Sequence, residues 1–278
     1  MKISFNNVSY TYNKKDKPAL KNINFVIDRN DIVFILGHTG SGKSTLVQHL
    51  NGLLFPKDGE VNIEIEGNNF NVNSKEKNIK ELRKNVGLVF QFPENQLFES
   101  SVLKDVMFSP RNFGYKEEEA EKLAKESLEL LGIGENYYQR SPFDLSGGEK
   151  RKVAIAGVIA SKPKVLVLDE PTSSLDNKST KEFFNLIKKL KNDGVLVIVV
   201  SHDVNLCYEY ADKVMILNRG ELKYFGSYDR AFLDKKLLKD ASIETPFVLR
   251  VKEKLKLNSN ARTVKDLVKE LKEVTPNE

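Results

Sequence analysis

The run Gly37-His38-Thr39-Gly40-Ser41-Gly42-Lys43-Ser44-Thr45 is the strongest constraint on what this chain can fold into. An apolar, strand-like stretch at 32–36 precedes it, and Leu46, Leu50 and Leu53 follow at helical spacing. The run fits the phosphate-loop pattern throughout, in the strand–loop–helix context that the pattern needs. Gly37, Gly40 and Gly42 let the backbone turn tightly and bring its amides toward phosphate oxygens. The helix start adds N–H groups without intrahelical partners and the positive end of a dipole. Lys43 is placed to bridge the β- and γ-phosphates of a nucleoside triphosphate, and Ser44 to hold Mg²⁺ through its hydroxyl.

A second half of such a site is an acid at the end of a core strand, and Val165-Leu166-Val167-Leu168-Asp169-Glu170 supplies two. Asp169 can reach the metal directly or through water, while Glu170 points elsewhere and can polarise an attacking water. Adjacent acids after an apolar run are costly unless a cation or a reaction uses them. Alone they could also form a capping turn before Pro171. With the loop upstream they specify phosphoryl transfer, to water or to another acceptor.

Composition excludes several classes. The 44 basic and 39 acidic side chains leave a net charge of +5, too weak by itself to imply nucleic acid. One cysteine, Cys207, permits no intrachain disulfide and no cysteine cluster for zinc or iron–sulfur, which fits a reducing compartment. Met1-Lys2-Ile3-Ser4-Phe5 reads as a strand and not as a signal peptide. No uncharged apolar run approaches the ~20 residues needed to cross a bilayer, so membrane attachment would come through a partner.

Apolar stretches at 3–8, 23–27, 32–36, 61–65, 86–90, 165–168, 195–200 and 214–217 read as strands. Some alternate, such as Ile23, Phe25 and Ile27. Others are continuous, as in Val195-Leu196-Val197-Ile198-Val199-Val200, which suits a sheet covered on both faces. Helical patterns at 117–131 and 183–190 lie between them, so the fold class expected is α/β. Residues 92–148 interrupt the alternation with a mostly helical stretch. Helical patterns return at 231–238 and 263–271, where Val264, Leu267, Val268 and Leu271 form one stripe that either packs on its own domain or meets a partner. The expected organisation is an α/β core of residues 1–91 and 149–230, an inserted helical subdomain of 92–148 and a small C-terminal helical extension of 231–278. Thr275-Pro276-Asn277-Glu278 are expected to fray.

Further segments carry a resemblance. Leu145-Ser146-Gly147-Gly148-Glu149 precedes a helical run, and Ser146 with Glu149 also makes a capping box. Val200-Ser201-His202-Asp203 follows a core strand, where ligands gather in such folds. Together with Tyr12, the phosphate loop, Gln91 and the acids, and in this order, they resemble the ATP-binding-cassette superfamily over about residues 1–230. The resemblance implies a P-loop NTPase core of that type, with ATP and Mg²⁺ as ligands. Ser146, Gly147 and Gly148 would grip the γ-phosphate of ATP held by an opposing subunit, so that two chains close over two nucleotides. His202 would contact the γ-phosphate and hold Glu170 and the water in line. Gln91 would sense the metal, and Asp176, in Ser173-Ser174-Leu175-Asp176, would couple the two sites. Tyr12 would stack on adenine, unless it is an ordinary strand-edge tyrosine.

Four stretches resemble, more closely, the ATPases of energy-coupling-factor transporters, and among these the second of two non-identical ATPases. They are Gly37-His38-Thr39-Gly40, Val89-Phe90-Gln91-Phe92-Pro93-Glu94-Asn95-Gln96-Leu97-Phe98, Ser141-Pro142-Phe143-Asp144-Leu145-Ser146-Gly147-Gly148, and Arg151-Lys152-Val153-Ala154-Ile155-Ala156-Gly157-Val158. The resemblance implies a sister ATPase, an integral membrane coupling subunit and exchangeable membrane substrate-binding subunits as partners. It also implies a peripheral place on the cytoplasmic side of the cell membrane and uptake of vitamins or other micronutrients. The extension would assist subunit pairing, and residues 92–98 would either offer a groove to the membrane subunit or form a local turn. Glu149 stands where the family often has glutamine, and Ser173-Ser174 replace a pair that usually contains alanine. Alternatives are a dedicated cobalt or nickel importer, a soluble cassette protein acting on DNA or ribosomes, and a small-molecule kinase. The last leaves residues 145–148 without a role.

Overall fold

The strands that are apolar along their whole length lie at the centre of the molecule. The computed structural model describes residues 1–13, 15–73, 78–173 and 175–274. Strands β1 (Lys2–Tyr10), β2 (Leu20–Ile27), β4 (Asp58–Ile65) and β5 (Asn68–Asn71) form an antiparallel sheet in the order β2-β1-β4-β5. The second sheet runs β10-β9-β3-β8-β7-β6, from β3 (Ile32–Leu36), β6 (Val86–Val89), β7 (Val165–Asp169), β8 (Leu196–Val200), β9 (Lys213–Asn218) and β10 (Glu221–Ser227). Its pairs are parallel except for β9 with β10.

Period-2 geometry divides the central strands between two cores. Ile32, Phe34 and Leu36 of β3 join the cluster that includes the helices, and so do Leu166, Leu168, Val197 and Val199. Val33 and Ile35, with Val165, Val167, Ile198 and Val200, join the cluster formed with the antiparallel sheet. Both faces are covered, which is why β3 and β8 carry no polar residue.

Helix α1 (Lys43–Leu50) follows the phosphate loop and α2 (Ile79–Asn85) precedes β6. Residues 92–148 hold α3 (Val102–Asn112), α4 (Glu117–Leu130) and three short 3₁₀ turns, with no strand among them. The expected stripe of α4 is buried: Ala120, Leu123, Ala124, Ser127 and Leu128. Helix α5 (Gly147–Ile159) packs on α3 and α4 and carries this helical arm back to β7. Helix α6 (Asn177–Asn192) follows β7, and α7 (Val204–Tyr210) follows β8.

The C-terminal region differs in detail from its sequence pattern. It starts with β10, whose strand reaches Ser227. The single helix expected at 231–238 is two, α8 (Tyr228–Leu233) and α9 (Lys235–Asp240), because Asp234 turns the chain and caps the second through the Leu237 amide at 2.9 Å. Helix α10 (Phe247–Leu255) had no sequence signal, and α11 (Val264–Val274) matches the last pattern. Its stripe is divided: Leu267 is buried and Leu271 packs on the helical core, whereas Val264 and Val268 are exposed. Ser174 and residues 275–278, which figured in the expectations above, lie outside the described residues.

Candidate active site

The phosphate loop leaves the end of β3 and closes on α1. Gly37 and Gly42 have no substitute there: a Cβ would lie 2.4 Å from the Leu217 carbonyl oxygen at the first and 2.5 Å from that of Ala19 at the second, and both have positive φ. Lys43, at the first position of α1, donates to the carbonyls of Gly37 at 2.7 Å and His38 at 3.1 Å. Burial pushes its pKa down, and the nearby carboxylates of Glu170 and Asp169 oppose that shift. His38 is exposed; its Nδ1 donates to the Thr39 carbonyl at 2.7 Å and its Nε2 lies 3.2 Å from Asn218 Oδ1. Asn218 in turn donates to the Asp240 carbonyl at the end of α9. Thr39 and Gly40 are exposed, Ser41 is buried, and Thr45 faces Tyr12, with 3.0 Å between the two hydroxyl oxygens. The Tyr12 ring stands edge-on to Tyr10, and the residue is about half exposed.

The parallel sheet brings the acids to the same end as this loop. Asp169, the last residue of β7, accepts a hydrogen bond from the Ser44 hydroxyl. Burial raises its pKa, with Glu170 adding to the rise and Ser44 and Lys43 opposing it. Ser44 and Asp169 thus offer adjacent oxygen donors of the kind Mg²⁺ takes together with substrate phosphates. Among the described residues no cluster of three or more His, Cys, Asp or Glu could hold a metal without such help.

Glu170 has φ of 50°, a left-handed backbone uncommon for a non-glycine residue, fixed by its amide donating to the Val200 carbonyl at 2.9 Å. His202, two residues beyond β8, donates from Nδ1 to the Glu170 carboxylate at 2.9 and 3.0 Å. Gln91 lies two residues past β6, and its carbonyl accepts from Arg151 at 3.3 Å.

Arg151 was given no role from the sequence. It is 2% exposed, and the same Nη2 donates to the Glu170 carbonyl at 2.9 Å. It therefore ties α5 to the ends of β6 and β7. The signal was present: Arg151 shares a buried helical stripe with Ile155 and Ile159, four and eight residues on.

Ser146 and Asp176 sit on other elements. Ser146 caps α5 in a full capping box, its amide donating to Glu149 Oε2 at 2.8 Å, and these bonds with Ser146 hold the Glu149 pKa down. Gly147 and Gly148 are exposed, have no positive φ, and a Cβ on either would meet nothing within 4 Å. Asp176 caps α6 through the Ser179 amide at 2.7 Å.

Comparison with known proteins agrees with this arrangement. The family described as "ABC transporter" matches residues 20–173. The energy-coupling factor transporter ATP-binding protein EcfA2 of Streptococcus pyogenes serotype M5 is 47% identical over 258 residues, 92% of this chain and 91% of its own. The structure of cbiO1 from Clostridium perfringens, part of the ABC transporter complex cbiONQ, superposes with a TM-score of 0.74 at 34% identity, covering 92% of this chain and 98% of that one. A dimeric, post-hydrolysis cassette, MJ0796 bound to ADP and Pi, superposes with a TM-score of 0.71 at 32% identity, covering 81% and 98%. This chain is a member of the ABC transporter family, among the ATP-binding proteins of energy-coupling factor transporters.

Proposed function

We propose that the chain is the Mg²⁺-dependent, ATP-hydrolysing subunit of an energy-coupling factor importer, and that it works as one half of a pair of ATPases. The observation that carries the pairing is Gly147 with Gly148. Neither backbone conformation nor crowding within the chain calls for glycine there, yet both sit bare at the start of α5, where amides face outward. A surface that must approach closely from outside accounts for them, and ATP on the phosphate loop of a sister chain is such a surface.

In this reading Lys43 and the loop amides hold the β- and γ-phosphates, and the half-exposed Tyr12 stacks on adenine. Ser44 and Asp169, together with Gln91, would hold Mg²⁺, which when bound supplies positive charge against the phosphate oxygens. Glu170 takes the attacking water's proton or orients that water, and His202 keeps the carboxylate aimed. Ser146, Gly147 and Gly148 close on the sister's γ-phosphate, and Asp176 lies on the seam. The core of residues 1–91 and 149–230 would bind ATP, the arm of 92–148 would move, and 231–278 would assist pairing.

Among the described residues no helix is long and apolar enough to cross a membrane. The proposed place is the cytoplasmic face, under an integral coupling subunit that carries exchangeable substrate-binding subunits. Phe92 and Phe98, each more than half exposed on the arm, are the proposed contact. Likeness to cbiO1 favours a second reading, a dedicated importer in which two copies of one chain pair. The test is ATP-driven association of the Glu170→Gln protein, alone and with its sister, followed by sedimentation. Pairing that needs ATP supports the proposal, and the identity of the mate separates the two readings. No ATP-dependent pairing overturns both.

A further inference from the structure

The helix that follows His202 is braced by the C-terminal helices along its whole length. α7 has seven residues, too few to be stable on its own. Asp203 fixes its first turn by accepting from the amides of Asn205 at 2.8 Å and Leu206 at 3.0 Å. Asn205 Oδ1 accepts from the amide of Phe247, at the start of α10, at 2.8 Å. Lys252 of α10, only 6% exposed, donates to the Tyr208 hydroxyl at 3.4 Å. Arg262, just before α11, donates from Nε to the Tyr208 carbonyl and from Nη2 to the Ala211 carbonyl, both at 2.7 Å. Its guanidinium lies 3.7 Å from the centre of the Tyr228 ring, which holds it flat against the end of the helix.

Those carbonyls belong to the last turn and the cap, where an α-helix leaves acceptors without intrahelical partners. A planar guanidinium satisfies two of them at once, and its charge suits that end of the helix dipole. His202 lies two residues before α7, between β8 on one side and the braced helix on the other. Its bond to Glu170 is made from the short link between the two.

We propose that Arg262 is a positioning residue for ATP hydrolysis: by bracing the far end of α7 it keeps His202 on Glu170. The proposal rests on the roles given above to His202 and Glu170. It makes the C-terminal helices part of the hydrolytic machinery as well as a pairing surface. Any shift of α10 or α11 would reach His202 through one short helix.

The test is ATP turnover by the intact membrane assembly carrying Arg262→Ala or Arg262→Lys, each in native and His202→Ala backgrounds. Arg262→Ala should lower kcat about tenfold, since small misplacements of catalytic groups cost that much or more, and leave KM for ATP within about twofold. Arg262→Lys, able to reach one carbonyl, should recover part of the rate. In the His202→Ala background Arg262→Ala should change nothing further, because both act on one bond. An unchanged kcat, an equal loss in both backgrounds, or a loss confined to KM overturns the proposal. Should Arg262→Ala not assemble, Asn205→Ala and Lys252→Met remove the other two braces and must give smaller losses of the same kind; native kcat in both overturns it equally. Native turnover by His202→Ala would instead refute the site reading on which this inference stands.

Discussion

His202 Nδ1 donates to both carboxylate oxygens of Glu170, at 2.9 and 3.0 Å, across the ends of two adjacent parallel strands. The histidine is open to solvent while the glutamate side chain is 14% exposed, so the acid is sheltered and its support faces outward. Glu170→Gln keeps the shape and removes the carboxylate proposed as the base. It should leave ATP affinity within about twofold and lower turnover by about 10²-fold or more, the usual scale for losing general-base assistance. Steady-state phosphate release beside equilibrium nucleotide binding checks this, and native turnover by the variant would falsify the role of Glu170.

Lys43→Ala removes a cation that donates to two carbonyls of the loop. A charge-assisted hydrogen bond contributes ~1.5–3 kcal/mol, so ATP should bind roughly 10- to 100-fold more weakly. ADP, which lacks the γ-phosphate, should lose less. Isothermal titration with both nucleotides decides it, and equal losses would place Lys43 away from the γ-phosphate.

Asp169 is half-buried, at a cost to its charged form. Its folded pKa is raised, so the native state binds this proton more tightly than the unfolded chain does. The contribution to stability is therefore present below the ordinary carboxylate pKa and is lost as pH rises through the raised value. Asp169→Asn mimics the protonated form. Without nucleotide or Mg²⁺ it should melt at a higher temperature than the native protein at neutral pH, with the gap closing in acid, and it should lose hydrolysis. A variant less stable than native at pH 7 would contradict the sign of the shift.

Arg151 offers a test of how α5 is fixed to the catalytic strands. Arg151→Met fills much of the same space but leaves the Glu170 and Gln91 carbonyls without this donor. Both bonds are only part-buried, so water can reach the deserted acceptors in part and the loss should lie near the lower end of ~1–3 kcal/mol; the melting temperature should fall by a few degrees and turnover should fall beyond what the remaining folded fraction explains. Thermal melts paired with activity per folded molecule separate the two effects.

On the arm, Phe98 stands edge-on to Phe108 with their centroids 4.9 Å apart, and both rings are about half exposed, as is Phe92. Phe92→Ser with Phe98→Ser should spare ATP binding and the stability of the isolated chain, yet uncouple uptake from hydrolysis. Transport per ATP in reconstituted vesicles is the measurement. Normal coupling would leave the pair as ordinary surface packing.

Strands buried on both faces announce themselves, so β3, β7 and β8 could be placed within a residue or so from apolar runs alone. β5 could not: in Asn68-Asn69-Phe70-Asn71 only Phe70 turns inward, and asparagine disfavours strands, so pairing with β4 decides its conformation. The pattern at 231–238 hid a break because Asp234, polar and exposed in either case, serves as a cap. The phosphate loop and the paired acids were readable because their chemistry resides in side chains at fixed spacing. Arg262 was not, since the groups it grips are main-chain carbonyls, which every residue possesses and no sequence pattern marks. Arg151 stands between these cases, a charge on a buried stripe whose partners only the folded chain reveals.

One feature of β3 reaches beyond catalysis. Phe34 faces the helices while Ile35, its neighbour in the chain, faces the antiparallel sheet. Removing one methylene costs ~0.5–1.5 kcal/mol on either side, but the damage lands in different halves of the molecule. Variation at odd and even positions of a single strand therefore disturbs the antiparallel-sheet side and the helical side separately, which gives drift two handles on a five-residue segment.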